Sequence, residues 1–298
     1  MPLWFPIALC CALVTACADA ISKRILITGD EWITGGILLT LASLMLTPVL
    51  FYVDFRPVTA EGAILLAVTL PLEALAYYLF LSAIRMSDLS LVAPLLAFTP
   101  AFTIVTGSLL LGESIGAWGL CGVSIVTLGA YILNVDPSRF SLLGPIRMIL
   151  SDPGARRMLM VSAIWSVTSA LGKKGALIFG SLQYGFILTA TIGGLFLVIG
   201  AFRIKLTRVQ LNFDNRLAFF FLIGAVFMAI QEVTHFVSIS MAPVAYMISV
   251  KRLSMIIGVI FGWGFFDEEN VVNRLAGAAI MLLGVIIIYG FQDSGVLQ

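Results

Sequence analysis

The sequence predicts an all-α polytopic membrane protein with ten transmembrane helices, arranged as two inverted five-helix repeats. Three observations carry this prediction. Of the 298 residues, 60% are hydrophobic and only 11% are charged, whereas a soluble domain carries about 25% charged residues. Ten apolar runs are each long enough to cross a bilayer, which takes about 20 residues. The two halves of the chain also match each other at fixed offsets.

The ten predicted helices follow one another with short connections. Because lipid offers no hydrogen bonds to the backbone, the helix is the sensible conformation for each run. The first run lacks a preceding basic segment and continues into the second, which is typical of a membrane helix and not of a cleaved signal. The predicted spans are Leu3–Ile21, Ile33–Val53, Gly62–Ile84, Leu89–Leu111, Ala117–Asn134, Met158–Phe179, Leu182–Phe202, Leu217–Ser240, Val244–Phe266 and Arg274–Phe291.

These spans divide the chain into residues 1–135, the first five-helix repeat, and residues 158–298, the second. The connection, residues 136–157, alternates apolar and basic residues at helical spacing, which predicts a short interfacial helix. A gapless shift of 155 residues superposes the repeats, and a shift of 150 near their starts places Lys23 on Lys173. The pairs matched by the longer shift are Met86 with Met241, Gly107 with Gly262, Glu113 with Glu268, Gly122 with Gly277 and Gly129 with Gly284.

An odd number of helices per repeat requires the second repeat to lie upside down relative to the first. Inverted repeats are a recurring plan of secondary transporters, which bind their substrate at the midplane between the halves.

A basic pair, Lys251 and Arg252, lies within the ninth apolar span. A charge near the centre of a span costs about 2.5–3.5 kcal/mol on insertion scales, so both need compensation. Their side chains point about 100° apart around the helix. One interpretation is that a residue snorkels or pairs with an internal carboxylate. The other is a binding site for an anionic group inside the membrane.

The eighth span carries Gln231, Glu232 and His235 on one side of the helix, at spacings of three and four residues. A carboxylate beside an imidazole can relay a proton, because histidine changes charge near neutral pH. Two alternatives stay open. The three residues could form a hydrogen-bonded cluster that locks the helix, or Glu232 could be the countercharge for the basic pair.

The third span contains Pro71 and Glu73, with Tyr77 one turn further on. A proline frees a backbone carbonyl, and a kink beside a carboxylate shapes a cavity. The alternative is that Glu73 pairs with Lys23 or Arg24. Nearby in the first span, a local ion pair between Lys23 and the residue four positions earlier is favoured. That residue is Asp19.

The sixth span carries Lys173 and Lys174 near its end, where lysine side chains either snorkel to the surface or face the cavity. Glu113 and Glu268 follow the fourth and ninth spans and are interpreted as structural. Threonines near the prolines of the fourth span are predicted to satisfy free backbone carbonyls: Thr99, Thr103 and Thr106.

Two segments resemble the EamA type of the drug/metabolite transporter superfamily. They are LLLGESIGAWGLCGVSIVTLGAYIL at Leu109–Leu133 and VKRLSMIIGVIFGWGFFDEENVVNRLAGAAIMLLGVIII at Val250–Ile288. The resemblance implies a compact ten-helix transporter whose cavity is lined chiefly by helices 1, 3, 4, 6, 8 and 9. The distantly related plastid sugar-phosphate translocators clamp phosphate with a Lys-Arg pair on helix 9 and a basic residue on helix 4, where this chain has Leu96.

The predicted function is secondary transport of a small polar or anionic metabolite by alternating access. The alternative is an exporter or flippase of an amphiphile or lipid-linked head group. The expected partners are an anionic or zwitterionic small molecule, a coupling proton and the lipid bilayer of the plasma or inner membrane. No nucleophile–base constellation, metal set or cofactor motif is visible, so no enzyme activity is expected. The net charge of +1 favours no nucleic-acid partner.

Two arguments on orientation disagree. The resemblance implies both termini in the cytoplasm, whereas lysines and arginines near helix ends favour the cytoplasmic side. They cluster in the loops after odd-numbered helices, which predicts termini outside. These residues are Arg85, Arg139, Arg147, Arg156, Arg157, Arg203, Lys205, Arg208, Arg216 and Arg274.

Overall fold

A computed structural model describes residues 2–27, 29–87, 92–134, 152–207, 214–257 and 271–290. The described chain consists of α-helices, one 3₁₀-helix (η1) and short turns. In order, the helices are α1 (Trp4–Leu26), α2 (Glu31–Leu50), α3 (Ala60–Met86), η1 (Ala93–Ala97), α4 (Phe98–Leu111), α5 (Ala117–Asn134), α6 (Pro153–Phe179), α7 (Ser181–Thr207), α8 (Asn215–Met241), α9 (Val244–Lys251) and α10 (Val271–Gly290).

The all-helical prediction is confirmed, and most helices extend beyond the predicted apolar spans. Helix α6 begins at Pro153, before the predicted Met158, because the Asp152 side chain accepts a hydrogen bond from the Ala155 N–H and proline suits the first helical position. The predicted fourth helix starts with the 3₁₀-helix η1. The predicted interfacial helix falls almost entirely on residues outside the described ranges, as does the second half of the ninth span.

Helix α9 changes geometry at the basic pair. The Arg252 N–H donates to the carbonyls of Ile248 and Ser249, and beyond this point the bonds tighten to the three-residue spacing of a 3₁₀-helix. Leu253 N donates to Val250 O at 3.0 Å, and the next bonds follow the same spacing up to residue 256.

Five described helices are long and apolar enough to cross a membrane: α1, α2, α3, residues Ser181–Arg203 of α7, and α8. Shorter apolar helices correspond to Leu95–Leu111, Ala117–Ile132 and Ala276–Gly290. Together with the helical character of the described residues, these spans support a polytopic membrane protein.

Helix packing follows the two-repeat plan. The equivalent helices α5 and α10 pack against each other, and so do α2 and α7. Helix α1 of the first half packs on α8 of the second, and the reciprocal contact joins α3 to α6. These contacts across the halves are therefore repeated with the roles of the halves exchanged, as a pseudo-two-fold axis requires.

Glycines on α5 and α10 bring these two backbones together. A Cβ on Gly122 would collide with the Gly284 carbonyl, and one on Gly129 would collide with the Gly277 carbonyl. Small residues permit such close approach between membrane helices. The earlier glycine of α5 meets the later glycine of α10, so the two helices are antiparallel. Because they are equivalent members of the two repeats, the repeats are inverted, as predicted.

Candidate functional site

A cavity of about 130 Å³ lies between the two halves. It exceeds the ~10–15 Å³ that one buried water requires. The helices implied by the resemblance line it, and α2 and α7 contribute as well. The polar lining residues are Thr15, Asp19, Glu73, Tyr77, Thr99, Thr168, Ser169, Thr189, Gln231, Glu232, His235, Lys251 and Arg252.

The structure brings most of the predicted site residues together at this cavity. Seven of them line it: Glu73, Tyr77, Gln231, Glu232, His235, Lys251 and Arg252. They come from α3, α8 and the end of α9, so residues far apart in the sequence share one wall. The two remaining predicted residues, Lys173 and Lys174, do not line it.

Lys251 lies in acidic surroundings. Its Nζ is 3.4 Å from His235 Nδ1. It also interacts electrostatically with Glu73 and Glu232, which lie on two different helices, and with Asp19 of α1. The lysine charge is therefore compensated by several carboxylates spread around the cavity.

Arg252 has different neighbours from Lys251. Its side chain is buried, with 6% exposure, and its Nη2 donates to Thr99 Oγ1 at 2.8 Å. The guanidinium carbon lies 5.9 Å from the centre of the Trp165 ring, within the range of a cation–π contact. The two basic residues thus face different partners, as their angular separation on the helix predicts.

Glu73 and Tyr77 project from α3 into the cavity. Glu73 interacts with the side chains of Thr168 and Trp165 on α6. Lys23, which the sequence offered as an alternative partner for Glu73, donates to the Ile84 carbonyl at 3.3 Å. The Tyr77 hydroxyl donates to the Met228 sulfur at 3.8 Å.

Asp19 is the carboxylate of the site that the sequence interpretation missed. It lines the cavity and interacts electrostatically with Lys251 and Arg252. The spacing to Lys23 favoured a local ion pair and hid this position. The sequence did contain an indication of a polar face on α1, because Thr15 lies four residues before Asp19 on the same side of the helix. Thr15 also lines the cavity.

Lys173 belongs to a separate cluster beyond one end of the cavity. Its Nζ forms an ion pair with Glu113 and donates to the Ala242 carbonyl at 2.7 Å. The other Glu113 oxygen accepts from the Val244 N–H at 2.8 Å. Lys173 is one turn beyond Ser169 of the cavity wall. We call this the α4–α6–α9 cluster: Glu113, Lys173, Ala242 and Val244.

Lys174 points away from the cavity to the surface. It pairs with Glu61 at 2.9 Å, and the two side chains are 43% and 64% exposed. Neither lysine lines the cavity in this structure, so the prediction that they bind the substrate has no support from their position. Of the two alternatives, Lys174 follows the one in which the side chain extends to the surface.

The threonines of α4 have two different roles. Thr103 donates to the Pro100 carbonyl, and Thr106 donates to the carbonyls of Phe102 and Ser166. These two satisfy backbone groups, as predicted. Thr99 instead accepts from Arg252, so it belongs to the site.

The arrangement suits binding of a polar solute. Charges of both signs surround one cavity in an apolar helical bundle, and within the described ranges no three His, Cys, Asp or Glu side chains could hold a metal ion. Ionisable groups within a membrane span typically mark substrate or ion pathways.

The fold and the cavity define a polytopic membrane protein with a polar cavity between its two halves. The model of the EamA-like transporter family matches residues 2–135 and 153–290, once for each repeat, and the chain belongs to this family. A solved structure described only as "Crystal structure of protein" is similar over 97% of this chain and 96% of its own, with a TM-score of 0.76. At 11% identity, this likeness shows the fold alone. No curated protein matches the sequence.

Proposed function

We propose that the protein is a secondary transporter that moves a small polar metabolite carrying an anionic group across the plasma or inner membrane. Transport would proceed by alternating access, in which the inverted halves rock about the cavity between them. A zwitterion fits the cavity best, because both signs of charge are available to bind it.

The observation that carries this proposal is the charge distribution around the cavity. Lys251 and Arg252 supply two positive groups, and the carboxylates Asp19, Glu73 and Glu232 supply up to three negative ones. An isolated dianion would meet net repulsion if all three carboxylates were ionised. A solute with one anionic and one cationic group can pair with both sets. We assign the anionic group to the basic pair and the cationic group to the Glu73 side, next to Trp165.

We further propose that proton movement is coupled through α8. Glu232 and His235 share one face, and His235 contacts Lys251 directly. Glu232 also lines a second small pocket, between α2, α7 and α8, so it lies between that pocket and the cavity. A carboxylate that lines both spaces can exchange a proton with each of them. This position supports proton-coupled transport over exchange without protons.

The second pocket bears on the alternative function, export of an amphiphile or lipid-linked head group. Its lining is mainly apolar, but its volume is about 10 Å³, close to the space that a single water needs. An acyl chain does not fit there, so this conformation favours a compact solute.

The test is transport by the purified protein in liposomes. Thermal-shift screening of amino acids, organic acids, sugar phosphates and amphiphiles selects ligands, since a ligand of the folded state raises Tm. Selected ligands are then tested by counterflow of labelled solute. We expect a compact zwitterion or anion to exchange. Exchange of a long-chain amphiphile alone would contradict the proposal.

A further inference from the structure

Arg252 is held by a chain of hydrogen bonds that links four helical elements. Arg252 Nη2 donates to Thr99 Oγ1 at 2.8 Å, Thr99 Oγ1 donates to Ser162 Oγ at 3.2 Å, and Ser162 Oγ donates to the Leu95 carbonyl at 2.5 Å. Thr99 and Ser162 are fully buried. The chain therefore joins α9 to α4, α6 and η1 in one wall of the cavity.

The direction of each hydrogen bond in this chain follows from its last member, the Leu95 carbonyl, which can only accept a hydrogen bond. A carbonyl cannot donate, so the Ser162 proton is committed to Leu95. Ser162 is then left as an acceptor for the Thr99 proton, and Thr99 in turn as an acceptor for Arg252. The guanidinium cannot accept, which makes this direction self-consistent. Each hydroxyl has one proton to give, so removal of either one disturbs the geometry at Arg252.

The 3₁₀-helix η1 supplies the carbonyl at the end of the chain. The Leu95 carbonyl also accepts from the Phe98 N–H, and a carbonyl oxygen has lone pairs for two hydrogen bonds. Since η1 directly precedes α4, its position and that of Thr99 are set by the same backbone.

The hydroxyl chain fixes the guanidinium but leaves its charge available. Among the described residues, Arg252 has no carboxylate in hydrogen-bond contact, and its Nε has no hydrogen-bond partner although it is buried. A buried donor without an acceptor is unfavourable. Asp19 acts electrostatically on Arg252 from a distance, whereas Lys251 has Glu73 and Glu232 acting on it in addition to Asp19. Arg252 lines the cavity, so an anionic oxygen of a solute there would meet a guanidinium charge that no described carboxylate contacts.

We infer that Thr99 and Ser162 are positioning residues, which hold the Arg252 guanidinium against Trp165 so that it binds an anionic oxygen of the transported solute. The inference rests on the proposed function, because it assumes that the cavity binds a solute. Ser162 does not line the cavity, and Thr99 lines it with its proton given to Ser162, so both hydroxyls act through Arg252.

The inference is tested by NMR of the Arg252 Nε–H group in protein labelled with ¹⁵N-arginine, and its resonance is assigned by its loss in Arg252→Lys. Acetate serves as the probe, since it is the simplest carboxylate. In the unaltered protein, we expect saturable shifts of this resonance. Thr99→Val keeps the shape but removes the acceptor, and we expect it to weaken acetate binding about tenfold, whereas Thr99→Ser stays within about threefold.

The two substitutions at Thr99 separate positioning from packing. If Thr99→Ser weakens acetate binding as much as Thr99→Val, the residue acts by packing and the inference is wrong. If Thr99→Val does not fold, Ser162→Ala takes its place, with an expected loss of about threefold, since the acceptor of the Thr99 proton is removed. Unchanged acetate binding in Ser162→Ala would also overturn the inference.

Failure of the inference is distinguishable from failure of the proposed function. If solute counterflow is observed but acetate never shifts the Arg252 resonance, the positioning role is wrong and the transport function stands. If acetate binding depends on Thr99 but no solute is transported, the binding site is real and the transport proposal fails.

Discussion

The adjacent basic pairs of α6 and α9 look alike in the sequence and have different environments in the fold. Lys173 and Lys174 pair with Glu113 and Glu61, outside the cavity. The other pair, Lys251 and Arg252, lines the cavity. Both pairs lie in predicted apolar spans of the sequence, so the insertion cost alone does not separate them. The two pairs differ in their position along the helix and in whether the other repeat has a basic residue at the equivalent place.

The repeat explains the pair on α6. Lys173 superposes on Lys23 of the first half. Lys23 donates to the Ile84 carbonyl near the end of α3, and Lys173 donates to the Ala242 carbonyl just after α8. Lysines near helix C-termini often satisfy the free carbonyls there. A basic residue at this place in both repeats is therefore explained by helix termination.

The pair on α9 has no such counterpart. The shift of 155 residues places Leu96 and Ala97 opposite Lys251 and Arg252. The two halves share a fold, so a charge present in only one half is not required by that fold. A basic pair that breaks the repeat is thus a better marker of a binding site than one that follows it.

The largest expected effect is on stability, from Lys173→Met. The ion pair with Glu113 is mostly buried, with side-chain exposures of 15% and 13%. Removing one partner leaves a buried carboxylate without its countercharge, and we expect a loss of about 3 kcal/mol, the lower end for buried pairs. Thermal and denaturant unfolding in detergent measure it. If Lys173→Met is as stable as the unaltered protein, the prediction is wrong, and the Lys173–Glu113 pair contributes no more than the exposed Lys174–Glu61 pair.

The next effect is on solute binding. We expect Lys251→Gln and Arg252→Gln each to weaken binding of the solute found in the liposome screen by about tenfold or more, roughly 1.4 kcal/mol. Lys174→Gln is the matched control, because it removes a charge from an apolar helix outside the cavity. Counterflow and thermal shift measure binding. If both cavity variants bind normally, the charges have a structural role only.

A third prediction concerns coupling. Glu232→Gln removes the carboxylate between the cavity and the second pocket, and we expect exchange of solute to persist while accumulation driven by a pH gradient is lost. For one coupled proton, a gradient of one pH unit supports up to about tenfold accumulation. Glu61→Gln, on the surface, serves as the control. A wild-type accumulation profile in Glu232→Gln would contradict the proton-coupling proposal.

The smallest effect is expected from Lys174→Gln itself. Its ion pair with Glu61 is exposed, and such pairs contribute about 0–1 kcal/mol. We expect the free energy of unfolding to fall by an amount within that range and solute counterflow to be unchanged. A large transport defect would show that the cavity extends to this surface in another conformation, and would remove the contrast between the two pairs.

The overall architecture follows from the amino-acid sequence because bilayer insertion acts locally. Apolar runs of sufficient length must become helices, and their number per repeat decides whether the halves are inverted. The glycines matched by the repeat, Gly122 with Gly277 and Gly129 with Gly284, later prove to be the crossing points of α5 and α10. Seven cavity residues were also predicted, since a polar side chain in a membrane span needs a partner or a function.

The assignment of partners depends instead on how helices from the two halves pack. Asp19 joins the basic pair through the contacts of α1 with α8 and α9, although the local spacing pointed to Lys23. Thr99 accepts from Arg252 across 153 residues of chain and Thr106 donates to the Ser166 carbonyl across 60, whereas Thr103 donates to the Pro100 carbonyl on its own helix. Lys173 reaches Glu113 across 60 residues. Helix spacing predicts which residues share a face, but hydrogen bonds and ion pairs form over a few ångströms, so long-range packing selects the partner.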